Sequence, residues 1–358
     1  MTRIVVIGGG VAGLSAAAEL ATGADVTVLE AEDSIGYHAS GRSAAMLEVN
    51  YGAPSVRALS HASVDYLAGH DGGYLSPRGV MLVAKPDEKT GFDSDLKSMG
   101  MQQISTHHAL DIVPALNPQH LGFAALHAEA RDIDTDRLLQ GYARRLRHAG
   151  GSVLTGHKVS SIGFENGQWQ IGTTKTVFSA DLLVNAAGAW ADEMARLAGL
   201  APLGIVPHRR SMARVPAPDG ADISTWPMLF GVGESWYAKP DAGCMLVSPA
   251  DEDPVDAHDA WAEDETLAHG IAAYDHMTLA PVTRLLASWA GLRSFAPDRT
   301  LVLGPDPGQP AFIWCAGQGG YGMQTSPAAA RLVADLVFDR TPDLPACAVT
   351  ALRPERLR

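Results

Sequence analysis

Cysteine is scarce in this chain. There are three, Cys244, Cys315 and Cys347, far apart and odd in number. No CxxC pair or Cys/His cluster occurs, which argues against a disulfide framework or a zinc site and fits a reducing compartment. Positive charge is also short: 27 Lys and Arg stand against 40 Asp and Glu, a net charge of -13. Nucleic-acid binding is carried by Lys and Arg on phosphates, and anionic-lipid recognition by polybasic clusters, so neither partner is expected. No uninterrupted apolar run reaches the roughly 18 residues of a membrane span. Met1-Thr2-Arg3 leads directly into Ile4-Val5-Val6-Ile7 without the apolar run and cleavage site of a signal peptide. The expectation is a cytoplasmic protein without integral membrane contact. Repeats and low-complexity tracts are absent too. What is present is 358 residues with 46% hydrophobic content, enough for two or three domains.

The first thirty residues carry the clearest pattern. Arg3 to Ile7 is a β-branched run ending at glycine, which reads as a buried strand. Gly8-Gly9-Gly10-Val11-Ala12-Gly13 follows, then a helix-forming stretch from Leu14 to Ala21. A second strand, Asp25 to Leu29, ends on Glu30, seventeen residues after Gly13. In a strand–GxGxxG–helix–strand–acid unit each part has a physical job. Gly8 permits the tight turn, Gly10 lets a pyrophosphate approach the backbone, and Gly13 lets helix and strand pack closely. The helix N-terminus offers free N–H groups to phosphates, and Glu30 can accept from a ribose diol. The unit predicts dinucleotide binding. It does not by itself separate FAD from NAD.

Further along, helices are expected over 55–68, 88–99, 135–149, 263–277 and 323–338, and strands over 80–84, 152–154, 181–186, 301–304 and 312–316. Asn166-Gly167 reads as a hairpin turn. From Pro207 to Ser248 the pattern is strand-like, with a turn at Lys239-Pro240-Asp241-Ala242-Gly243. Asp251 to Asp256 reads as a solvated acidic loop. Ala187-Gly188-Ala189-Trp190 and Gly317 to Gly322 repeat the strand-to-small-residue-turn theme, so one sheet is revisited in mid-chain and again near the end. The expected architecture is α/β (α+β): a Rossmann-like nucleotide-binding domain, discontinuous over 1–78, 135–202 and 290–358. An antiparallel-sheet substrate domain fills 79–134 and 203–289.

These blocks resemble the D-amino-acid oxidase-like flavoprotein superfamily, the group of glycine oxidase, sarcosine oxidase and deaminating D-amino-acid dehydrogenases. The strongest likeness within it is to the FAD-dependent D-arginine dehydrogenase type. The carrying segments are "GGGVAGLSAAAEL", "GYHASGRSAAM", "YGAPSVRAL", "DIDTDRLLQGY", "LVNAAGAWAD", "HRRSM", "SWYAKPDAG", "SWAGLRSF" and "GQGGYGMQTSPA", in family order from residue 4 to beyond 325. The resemblance implies FAD, held non-covalently. It implies that the Gly36 to Leu47 loop runs from the pyrophosphate to the flavin ring, and that Gly317 to Gly322 lies along the isoalloxazine. Implied cofactor contacts on the nucleotide side are Gly8, Gly10, Val11, Ala12, Gly13, Glu30 and Ala31, with Val159, Ala187, Gly188 and Trp190. On the flavin side they are Gly41, Arg42, Ser43, Ala44, Ala45 and Met46, then Arg293, Gly319, Gly320, Tyr321, Gly322, Met323 and Gln324. Arg42 can meet the phosphates or fix its own loop.

The implied chemistry is hydride transfer from an amino-acid Cα to flavin N5, then hydrolysis of the imino acid to a 2-oxo acid and ammonia. The protein supplies orientation and electrostatics; no strong catalytic base is visible. A bidentate arginine is the natural carboxylate clamp, and Arg209, Arg210 and Arg293 are candidates. Arg293 lies in an apolar stretch, where an unpaired guanidinium would be costly. Arg209, one residue from Arg210 on a strand, would point to the other face. The resemblance favours Arg210 and Arg293, adds Tyr237 and Tyr51 as substrate-lining phenols, and gives Gly320 a carbonyl for the substrate amine, with Gln324 nearby. Two departures narrow the substrate. Val80 stands where arginine-type relatives carry an acid, and Met46 where they carry histidine. A cationic side chain there would lose hydration without a partner, so neutral, apolar D-amino acids are expected over D-arginine. Glu48, close in sequence, would bring basic substrates back if it pointed inward. The electron acceptor, a quinone or another, is not identified. The rival readings are an oxygen-using glycine, sarcosine or D-amino-acid oxidase, a flavin-dependent 2-hydroxy-acid dehydrogenase, an NAD-dependent enzyme, and a non-catalytic nucleotide-binding module.

Overall fold

The structure is a computed structural model and describes residues 1–218 and 221–358. The glycine motif opens a six-stranded sheet. Its strand order is Val302–Pro305, Phe312–Ala316, Leu182–Asn185, Arg3–Ile7, Asp25–Leu29 and Ser152–Leu154. Neighbours are parallel apart from the Val302–Pro305 edge. Strand alternation divides the side chains between two cores. Ile4, Val6, Val26 and Val28 join the core under helices Val11–Leu20, Thr135–His148 and Gly322–Val337. Val5, Ile7, Leu29 and Leu183 face the other way, against Trp169 and Ile171 of a three-stranded antiparallel sheet. That small sheet turns at Asn166 and Gly167, both at positive φ, as the Asn-Gly signal predicts. The chain leaves the first strand toward Asp25–Leu29 on one side and later adds Leu182–Asn185 on the other. The C-terminal ends of these strands therefore surround a crevice at the point where strand order reverses, the place such sheets bind ligands.

A second, eight-stranded sheet runs Ala287–Phe295, Val206–Pro216, Cys244–Ser248, Tyr237–Asp241, Met228–Gly231, Val80–Ala84, Phe123–His127 and Gln102–Ile104. It is antiparallel except that Met228–Gly231 lies parallel to Val80–Ala84. Those two strands are far apart in sequence, so no hairpin dictates their relative direction. One face packs on helix Asp264–Met277 through Met81, Val83, Leu229 and Met245. The other carries Val80, Met212, Phe230 and Tyr237. Strand Ala287–Phe295 pairs with Val206–Pro216 along its full length, so residue 290 falls inside it. Met46–Leu47, the end of the glycine-rich loop, pairs with Arg131–Ile133, which also holds Leu75–Pro77.

Two expectations are corrected. Lys239, Pro240 and Asp241 belong to a strand, and the turn is only Ala242-Gly243, both at positive φ. Pro240 is tolerated because the pairing with Met228–Gly231 stops at Ala238, leaving no ladder bond for its missing N–H. The 251–256 segment is a loop and mostly exposed, as expected, but Asp251 is withdrawn from solvent, and Asp251 and Asp253 are paired. The Asp251 side chain is 5% exposed, pairs with Arg209 and accepts from the Ser211 backbone N–H and hydroxyl. The acids there answer arginines projecting from strand Val206–Pro216, a pairing no local pattern announces.

Candidate active site

Three cavities run end to end from the crevice into the face of the eight-stranded sheet. The first, about 500 Å³, is lined by Gly8, Gly10, Glu30, Ala31, Arg42, Val159, Ala187, Gly188 and Trp190. It shares Gly10, Arg42 and Gly188 with the second, about 140 Å³, whose walls include Val11, Ala12, Ser43, Ala44, Gly319, Gly320, Gly322 and Met323. Arg210, Tyr237 and Arg293 also face that second space. The third, about 130 Å³, shares Ser43, Ala44, Tyr237, Arg293 and Gly320 with it. Its further walls are Ala45, Met46, Glu48, Tyr51, Val80 and Gln324.

The first cavity is shaped by glycine. Gly8 has φ 109°, and a Cβ there would lie 2.4 Å from the Ala186 carbonyl oxygen. A Cβ on Gly13 would lie 1.9 Å from the Gly8 oxygen, so Gly13 lets the helix sit on the turn and lines none of the cavities. Glu30 is buried and accepts from the Gly9 N–H at 2.6 Å and the Glu32 N–H at 2.9 Å. It therefore ties down the glycine turn, and each oxygen can take a further donor. Arg42 is engaged by protein. Its guanidinium donates to the Ala260 and Ala290 carbonyls, each at 3.0 Å, and pairs with Asp259. Gly41 shapes the same loop, its N–H donating to the Gly36 carbonyl at 2.7 Å. Tyr321 packs behind the site against Tyr51 and Phe295. Gly41 and Tyr321 line none of the three cavities.

The arginines follow from strand register. Arg210 lies opposite Gly291 and Arg293 opposite His208 on the paired strands, so both side chains leave one face. Arg209 leaves the other, toward Asp251, Asp253 and Glu263. Arg210 is buried, with Glu252 3.2 Å from Nη2. Its Nε and Nη1 are buried without a hydrogen-bond partner among the described residues. Burial first, and the Arg293 charge second, pull its pKa below the ordinary value, though a guanidinium stays protonated. A Cβ on Gly320 would lie 3.1 Å from Arg293 Nη1, so a bare backbone lies against this guanidinium. Unpaired buried donors of this kind match an anion, and a carboxylate accepts from a guanidinium fork best.

In the third cavity Glu48 does lie at the wall, but its carboxylate is engaged. It pairs with His127 and accepts from the Asn50 N–H at 3.0 Å. Gln324 accepts from the Glu48 N–H and donates to Ser60, fixing this wall to the last long helix. Met46 and Val80 stand beside Met99, Met228 and Phe230, an apolar lining the sequence reading found only in part. That reading also missed Glu234. Its carboxylate accepts from the Tyr51 hydroxyl at 2.8 Å, across 183 positions in the chain. Burial and the Glu234 charge push the Tyr51 phenol well above its ordinary pKa, so it remains a donor.

The residues present fit FAD. The glycine turn lines the first cavity, and the opening of helix Val11–Leu20, whose free N–H groups suit a pyrophosphate, lies where the first meets the second. The second ends at the start of helix Gly322–Val337, whose positive dipole end suits an electron-rich ring edge. This is the layout of a flavoprotein oxidoreductase. The model of the FAD dependent oxidoreductase family matches residues 3–336, and the chain belongs to that family. Glycine oxidase from Pseudomonas aeruginosa is 26% identical over 362 residues, covering 95% of this chain and 96% of that one. L-2-hydroxyglutarate dehydrogenase from Indibacter alkaliphilus is 26% identical over 209 residues, covering 54% of this chain and 52% of that one. The chain spans about half the length of two curated relatives it matches, 45% and 52%. The crystal structure of glycine oxidase from Geobacillus kaustophilus superposes with a TM-score of 0.83 at 23% identity, covering 98% of both chains. No helix among the described residues is long and apolar enough to cross a membrane.

Proposed function

We propose that this protein is an FAD-dependent D-amino-acid dehydrogenase acting on neutral, apolar D-amino acids. The observation that carries the reading is the Arg210–Arg293 pair, with buried unpartnered nitrogens on Arg210, one wall away from the Met46, Val80, Met99, Met228 and Phe230 lining. In this reading the two guanidiniums hold the substrate carboxylate and Tyr237 and Tyr51 flank it. The Gly320 carbonyl accepts from the amine, and the apolar wall takes the side chain. Bound FAD supplies the two-electron oxidant for the Cα–H bond. The amine becomes an imine, which water converts to a 2-oxo acid and ammonia. FAD is held without a covalent bond, consistent with none of the three cysteines lining the cavities. The cofactor domain comprises 1–78, 135–202 and 290–358, and the substrate domain 79–134 and 203–289. The tests are equimolar 2-oxo acid and ammonia from D-leucine, and faster reoxidation of the reduced protein by a quinone than by oxygen. Faster turnover with oxygen makes it an oxidase instead. A relative named L-2-hydroxyglutarate dehydrogenase supports the hydroxy-acid alternative; flavin reduction by 2-hydroxy acids but not by amino acids would establish that one.

A further inference from the structure

Glu252 divides its carboxylate between two unlike cations. Oε1 lies 3.2 Å from Arg210 Nη2, and Oε2 lies 2.8 Å from Arg299 Nη2. Arg210 is buried in the site, whereas Arg299 is half exposed and rests on the Phe295 ring at 3.9 Å. The contact to Arg210 is longer than a strong charge-assisted bond, and the contact to Arg299 is within that range. The backbone on either side is pinned. Asp251 is bound by Ser211 and Arg209, and the Asp253 carbonyl accepts from the Arg209 N–H. Between these anchors the Glu252 side chain is about one-third exposed and held only by its two arginines. Arg293 faces the same cavity as Arg210, and none of the described ion pairs engages it. Glu252 is thus divided between Arg210 and Arg299, while Arg293, which also feels the Glu234 charge, is engaged by no described ion pair, so the Arg210–Arg293 side of the cavity is left short of negative charge.

We propose that Glu252 is a built-in counter-anion of the carboxylate site. It is a positioning residue that occupies Arg210 in the free enzyme and retires onto Arg299 alone when a monocarboxylate binds. The proposal rests on reading Arg210 and Arg293 as the carboxylate clamp. Its consequence is that the free enzyme never holds both guanidiniums uncompensated, and that substrate affinity is set partly by this internal competitor. Arg299 matters because it gives Glu252 somewhere to go.

The test titrates the FAD-loaded protein with 3-methylbutanoate, following the flavin absorbance and the heat of binding. Glu252→Gln is expected to bind it about tenfold more tightly, with the gain shrinking as salt screens the part-exposed pair. Arg299→Met is expected to bind more weakly, because Glu252 is then held on Arg210. The double variant is expected to behave like Glu252→Gln alone. Affinity for the uncharged 3-methylbutanamide is expected to be the same in all four proteins, which separates charge competition from loosening of the fold. Equal or weaker binding by Glu252→Gln overturns the proposal, as does an Arg299→Met effect that persists without Glu252. If no protein, wild type included, binds 3-methylbutanoate, the clamp reading itself is wrong and the proposal falls with it.

Discussion

In the proposed reading, Arg210 and Arg293 together hold the substrate carboxylate, and each can be probed by a single substitution. Replacing Arg293 with Met removes one fork of the clamp and is expected to lower kcat/KM about 100-fold, the scale of lost charge-assisted hydrogen bonds. Steady-state kinetics on D-leucine checks this; a change under threefold would remove Arg293 from the clamp. Val80 is buried in the apolar wall. Val80→Glu is expected to raise the kcat/KM ratio of D-lysine to D-leucine above that of the parent, at some cost in stability for a buried carboxylate. An unchanged ratio would mean that the substrate side chain goes elsewhere. Some of this was legible in advance. Alternation along a strand is enough to separate Arg210 from Arg209. The role of Glu48 was not legible, because it depends on His127, 79 positions away. Nor were Glu234 and Glu252, whose partners arrive only through tertiary pairing.

At the scale of elements, the glycine turn and its helix form one unit. Gly13→Ala forces a Cβ to within 1.9 Å of the Gly8 oxygen. It is expected to cost about 3 kcal/mol and to lower the FAD content of the purified protein. Gly69→Ala, at a helix end where a Cβ meets nothing within 4 Å, is the control and is expected to leave both unchanged or slightly improved. Thermal melts with absorbance-based FAD counts compare them, and a Gly13→Ala protein that melts and loads FAD like the control would contradict the packing role. Strong local signals placed the elements well: the Arg3–Ile7 strand and the Asn166-Gly167 turn. Weak ones did not. The sequence reading named neither the short helices Thr106–Ile112 and Ala346–Leu352 nor the two-residue strand Met46–Leu47. Segments this short have too few turns or pairs to show a period, and packing decides them.

For the whole molecule, the chain closes on itself through Asp306. This buried carboxylate accepts from Trp314 Nε1 at 3.0 Å, the Gly308 N–H at 2.9 Å and Arg358 at 2.6 Å. Burial alone would raise its pKa, but these donors together hold it below the ordinary carboxylate value. A depressed folded-state pKa contributes stability above the unfolded value, about 4, and that stability is lost as pH falls through the folded one. Asp306→Asn is therefore expected to lose stability near neutral pH and to show a flatter decline on the acid side. Urea midpoints from pH 3 to 7 test this, and parallel curves would contradict it. The overall plan was readable because three strands of the nucleotide sheet, Arg3–Ile7, Leu182–Asn185 and Phe312–Ala316, run into turns of glycine and other small residues. The parallel pairing of Val80–Ala84 with Met228–Gly231 was not, because each strand reads the same in either direction.

The three adjoining cavities from the glycine turn to Val80 are proposed to serve the oxidation of neutral D-amino acids. Anaerobic mixing of the FAD-loaded protein with a panel of D- and L-amino acids, followed by flavin absorbance, tests it most directly. Rapid bleaching by D-leucine, D-valine and D-methionine, slow bleaching by D-arginine, and none by the L-isomers is expected. Bleaching by L- but not D-isomers, or fastest bleaching by D-arginine or D-lysine, would contradict it.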